Sequence, residues 1–170
     1  MDYVLAQVNI ARLLAPLDSP QLADFVAGLE PVNAVADNAP GFVWRLQTDE
    51  GDATSLRVFV DDAEGADGGI VVNMSVWETV EDLAAFVYAP AHRAVLRRRR
   101  EWFEQMQDIY MALWWIPRGH VPTTGEAEDR IRYLRAHGPT AHAFTMRVHF
   151  PPPGAVATPL HSPDDWACTV

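Results

Sequence analysis

Alternation of apolar and polar side chains marks the strands of this chain. Over residues 4–11 (VLAQVNIA), Val4, Ala6, Val8 and Ile10 share one face, and Leu5, Gln7, Asn9 and Ala11 the other. The run at residues 70–77 repeats the plan, with Ile70, Val72, Met74 and Val76 opposite Val71, Asn73, Ser75 and Trp77. Residues 42–46 (FVWRL), 110–117 (YMALWWIP) and 143–150 (AFTMRVHF) supply three more strand candidates. Between them the period lengthens to that of helices. Residues 20–36 open on Pro20 after Asp18 and Ser19, with Leu22, Phe25, Val26 and Leu29 as the apolar stripe, and Pro31 should kink or shorten this helix. Residues 78–88 form a second helix, capped by Thr79 with Asp82, and Ala89-Pro90 ends it. A third spans 90–108, its arginine run solvated and paired at i,i+4 as Arg97 with Glu101 and Arg100 with Glu104. A fourth, at 125–136, starts after Thr123 or Thr124, turns Ile131 and Leu134 inward, and stops at Gly138.

The order strand, helix, strand, strand, helix, strand is the βαββαβ plan of an α+β, ferredoxin-like fold: an antiparallel sheet with helices on one face. A C-terminal helix and strand are appended. Residues 1–150 are expected to form this domain. Residues 151–170, with Pro151, Pro152, Pro153, Pro159 and Pro163, read as an extended or disordered tail. The acidic, Gly-rich residues 47–69 form a long excursion around a short apolar run at 56–60. A sheet with helices on one side leaves its other face bare, and a second copy packed sheet to sheet would cover it, so a homodimer is expected.

Asn73 stands out within that pattern. An amide on a strand that is otherwise apolar on both faces is expected to be buried and to need hydrogen-bond partners, which makes the strand the floor of a pocket.

The composition, 49% hydrophobic and 21% charged, is that of an ordinary globular protein. A net charge of -10 argues against nucleic acid or an anionic membrane as partner. The single cysteine, Cys168, excludes an intrachain disulfide and a cysteine-rich zinc site. No leader-like or membrane-length apolar run is present, so a cytoplasmic location is expected. His120, His142 and His149 lack metal-ligand spacing, and neither a Gly-rich phosphate loop nor a Gly-x-Ser-x-Gly elbow occurs.

Several separated motifs then agree. PGFVWRL, VVNMSVWE followed by VEDLAAFVY and HR, ALWWIPRGHVPT and HGPTAHAFT together resemble the domain-of-unknown-function family 3291 (DUF3291) of the dimeric α+β barrel superfamily. Within that superfamily, antibiotic-biosynthesis-type monooxygenases carry an Asn on the first strand and Asn-x-x-x-Trp on the strand before the second helix. The resemblance puts those roles on Asn9, Asn73 and Trp77. It implies cofactor-independent oxidation of a small aromatic or polyketide-like substrate, with the amides holding a carbonyl or enolate and the indole packing on the aromatic plane. His92 is the candidate proton acceptor, and Trp44, Phe86, Tyr88, Arg93, Trp102 and Trp115 are the candidate substrate-binding residues. Haem-degrading relatives carry a histidine where this chain has Phe86, which disfavours their mode of haem binding. Two other readings share the pocket: an isomerase or cyclase, and a non-catalytic binder of a hydrophobic ligand, with haem held by His92.

Overall fold

The computed structural model describes residues 2–47, 59–66 and 68–155. Four strands form one antiparallel sheet in the order β2-β3-β1-β4. These are β1 (Tyr3–Arg12), β2 (Phe42–Arg45), β3 (Ile70–Trp77) and β4 (Met111–Pro117). The helices are α1 (Ala23–Asp37), a short α2 (Val60–Ala63), α3 (Val80–Val87), α4 (Pro90–Arg98) and α5 (Thr124–His137). With β1 and β3 central and α1, α3 and α4 on one face, the fold is ferredoxin-like α+β. The expected excursion at 47–69 and the Pro-rich tail lie largely outside the described residues. Among the described residues, no helix is long and apolar enough to cross a membrane.

Register fixes which side chains share a face. Asn9 faces Asn73, Gln7 faces Ser75 and Leu5 faces Trp77 across β1 and β3, while Gln7 faces Leu113 across β1 and β4. This amide-bearing face lies under α1, α3 and α4. The opposite face carries Val4, Ala6, Val8, Ile10, Val72, Met74, Val76, Ala112, Trp114 and Ile116, and these pack on Ala127, Ile131 and Leu134 of α5. The bare face from which a dimer was expected is therefore covered by the chain's own C-terminal helix. Thr123 starts that helix with a capping box, its hydroxyl accepting from Glu126 N while the Glu126 carboxylate accepts from Thr123 N.

Several sequence expectations are corrected. Helix α1 runs through Pro31 to Asp37, and Val26 of its expected inner stripe points to solvent. The helix expected over 90–108 ends at Arg98 and tightens into a 3-10 turn, Arg99–Glu101. Tightening replaces i,i+4 spacing with i,i+3, so Glu101 pairs with Arg98 instead of Arg97, and Glu104 pairs with Arg12 instead of Arg100. The strand expected at 143–150 is reduced to two isolated bridges, Phe144 with Leu113 of β4 and Ala143 with Thr140. Thr145 turns the chain there, its hydroxyl accepting from Val148 N.

Candidate functional site

Two apolar clusters occupy the helix-covered face and leave a polar gap between them. At one end Leu13, Leu22, Phe25 and Trp102 pack with Val71, Leu29 and Val95. At the other, Trp77, Leu5, Val80, Leu83, Leu113 and Phe144 pack with Phe42 and Phe86. The row between them is Asn9, Gln7, Asn73 and Ser75. Gln7 and Ser75 are the buried polar residues of the described chain, at 4% and 7% exposure. Asn73 is exposed and Asn9 half-buried. The expectation of a buried Asn73 is thus corrected. Burial falls instead on the two polar side chains next to it.

These side chains form one hydrogen-bonded chain. The Trp77 indole Nε1 donates to Ser75 Oγ at 2.8 Å. Gln7 Nε2 donates to the same Oγ at 2.9 Å and to Asn73 Oδ1 at 2.8 Å. An amide nitrogen has two hydrogens, and Gln7 spends both. Turning the Gln7 amide over would leave those two donors unmet at a buried position, which costs more than an acceptor with spare capacity. Donor count therefore selects the orientation. Asn73 is held by its oxygen, and its Nδ2 makes no hydrogen bond among the described residues. The Asn9 amide beside it likewise has no side-chain partner among them.

Trp77 itself does not face the gap. It is fully buried, stacked on Phe86 at 5.2 Å between ring centres and edge-on to Phe42 at 5.4 Å. The expectation that its indole packs against a substrate ring is corrected: its surface is already taken by protein rings, and its N–H anchors Ser75.

His92 sits at the corner between α3 and α4. Ala89 is extended, as a residue before proline must be, and Pro90 opens α4. The turn brings His92 Nδ1 within 3.0 Å of the Val87 carbonyl at the end of α3. A carbonyl only accepts, so Nδ1 carries the proton and Nε2 presents a lone pair. Nε2 has no partner among the described residues. The ring packs on Phe86 at 4.9 Å. Burial holds the His92 pKa below its ordinary value, partly offset by the bond to Val87, so the imidazole is neutral at pH 7. Among the described residues no group of three or more His, Cys, Asp or Glu side chains is placed to hold a metal ion.

Phe86 also lines an open groove of about 530 Å³ between the C-terminal half of α1 and α3, with Val35, Asn38, Pro40, Asp82 and Ala85. Tyr88 is half-buried at the C-terminal end of α3, and Arg93 is exposed on α4.

Three other candidates lie away from the amides. Trp44 is on the opposite face, packed with the α5 cluster, because a register shift between Phe42 and Trp44 breaks the alternation. Trp102 is buried in the cluster around Phe25. Trp115 donates its Nε1 to the Phe150 carbonyl at 2.7 Å, pinning the chain that follows Phe144. The residues that sequence reasoning missed are Gln7 and Ser75. The available signal was their place on the same alternating faces as Asn9 and Asn73.

No curated protein matches the chain. Among solved structures it is similar to SnoaB, a cofactor-independent oxygenase from Streptomyces nogalater. The identity is 17% and the TM-score 0.44, over 72% of this chain and 100% of that one. It is also similar to NE2512, a protein of unknown function from Nitrosomonas europaea, at 10% identity and TM-score 0.42, over 71% of this chain and 94% of that one. The family profile for a domain of unknown function, DUF3291, matches residues 4–159, and the chain belongs to that family.

Proposed function

We propose that the protein is a small-molecule enzyme that oxidises a phenolic, anthrone-like substrate with molecular oxygen and without a flavin or metal. The observation that carries this reading is the Asn73 amide, fixed through its oxygen and presenting an unpaired NH2 beside the unpaired Asn9 amide. Amide donors exposed between two flanking apolar clusters suit an oxygen atom that gains negative charge. Loss of a proton from the CH2 of an anthrone makes such an oxyanion, and the resulting electron-rich ring reduces oxygen directly. Addition of oxygen at that carbon followed by loss of water gives the ketone, so CH2 and O2 become C=O and H2O. The substrate supplies all the electrons. In this reading His92, neutral and with Nε2 open, accepts the first proton.

Oxygen uptake with 1,8-dihydroxyanthrone tests the proposal. One O2 should be consumed for each quinone formed. Asn73→Ala should lower kcat by about 10²–10³, the usual loss for one oxyanion donor. Asn73→Ala also takes the acceptor from one hydrogen of the buried Gln7 amide, so the variant should lose about 1–3 kcal/mol of stability, and its turnover is compared well below its unfolding midpoint. Product formed without oxygen consumption would make the protein an isomerase or cyclase instead. Unchanged turnover in Asn73→Ala would remove the amide from the chemistry.

A further inference from the structure

The proposed reaction uses Asn73, but Asn73 is exposed and on its own could present either end of its amide. What sets the end is behind it. We propose that Gln7 is a positioning residue that locks the Asn73 amide with its carbonyl inward and its NH2 outward. The site then takes ligands through an oxygen that accepts hydrogen bonds, such as a phenolate, an enolate or a ketone, and discriminates against groups that donate. This rests on the reading of Asn73 given above and adds the direction of its hydrogen bond.

The lock has a fixed end. An indole N–H can only donate, so Trp77 commits one lone pair of Ser75 Oγ. Gln7 Nε2 takes the other and passes its second hydrogen to Asn73 Oδ1. Trp77 is fully buried and wedged between Phe42 and Phe86, and Gln7 lies on β1 between β3 and β4, so the inner part of the relay is held in place. The outermost member, Asn73, is the exposed one. Three inner side chains therefore determine the polarity of a group that a ligand can touch.

Gln7→Glu reverses that polarity with almost no change of shape. A carboxylate only accepts, so Ser75 O–H and Asn73 Nδ2 would turn to donate to it, and Asn73 Oδ1 would face the gap. Gln7→Met removes the lock without adding charge. The probe is 4-nitrophenol, whose anion absorbs in the visible, titrated with the full chain across its ionisation.

With donors facing out, the wild-type protein should bind the phenolate in preference to the phenol and lower the apparent pKa of the bound probe below its value in water. Gln7→Glu should raise it above that value and weaken phenolate binding about 10- to 100-fold, the usual range for a lost hydrogen bond to a charged group. Gln7→Met should leave a smaller downward shift than wild type. If circular dichroism shows Gln7→Glu to be unfolded, the Met variant decides. A wild-type protein that binds no phenolate, or a Gln7 variant that folds and titrates the probe like wild type, would overturn the proposal. The titration involves no oxygen, so failure of the monooxygenase reading alone would appear only as absent oxygen uptake.

Discussion

Trp77 and Asn73 stand four residues apart on β3, and the hydrogen bonds between them run through Ser75 and Gln7. Alternation along β1 and β3 shows that all four lie on one face. It says nothing about which amide donates to which, because that follows from cross-strand register and from how deeply each is buried. The same limit applies to Trp44, where one irregularity in β2 moves a large ring to the far side of the sheet. His92 offers a residue-level test that is independent of ligand. Its pKa in the folded protein is depressed by burial, whereas in the unfolded chain it returns to its ordinary value of 6.5. The unfolded state therefore binds the proton more readily. His92 contributes its full stability above pH 6.5, and that contribution is lost as pH falls through the lower folded value. The unfolding midpoint of wild type should fall between pH 7.5 and 5.5, and that of His92→Gln should fall less. Parallel slopes would show that His92 is not desolvated in solution. His142, whose pKa burial and Arg130 also lower, remains in both proteins and cancels in the comparison.

At the scale of elements, two helix starts were legible because capping chemistry is local, whereas Ser19 caps nothing and Pro20 opens only a 3-10 turn ahead of α1 at Ala23. Thr79 accepts from Asp82 N and Thr123 from Glu126 N, as their spacing implies. Helix ends and the last strand were not. Where α4 tightens, and where the chain turns at Thr145, the outcome depends on partners far away in sequence: Asp24 on Arg98, and Leu113 on Phe144. Gly41 is an element boundary of both kinds. It enters β2 with φ of +74°, a conformation that favours glycine, and its carbonyl accepts from Glu78 N at 2.7 Å, tying β2 to the start of α3. A Cβ built there would lie 2.2 Å from the Asp82 carboxyl carbon, which belongs to the α3 cap. Gly41→Ala should therefore destabilise the protein by about 2 kcal/mol, through left-handed strain and through a displaced cap. Urea unfolding measures this. A variant equal to wild type would mean that the β2–α3 corner has another conformation. Because Phe86 and Asp82 also line the groove beside α1, the same variant is expected to widen that groove.

For the molecule as a whole, the decisive element is α5. The sheet face opposite the amides is apolar along β1, β3 and β4, and a face of that kind must be covered to be stable. Ala127, Ile131 and Leu134 cover it from within the chain, each at 0% exposure. A second copy packed sheet to sheet would have to displace them. Folding of the aliphatic half of the core is then a unimolecular event, which separates it from dimer formation through mass action. If the cover is intramolecular, the unfolding midpoint is independent of protein concentration, whereas a cover supplied by a partner raises the midpoint as concentration rises. Denaturation followed over a hundredfold range of concentration should give superimposable curves. Leu134→Ala should move them all to lower denaturant by about 2–5 kcal/mol, the cost of a cavity at a fully buried leucine. A midpoint that climbs with concentration would instead return the sheet face to a second copy. It would also require α5 to leave the position in which it buries Trp114 and Ile116.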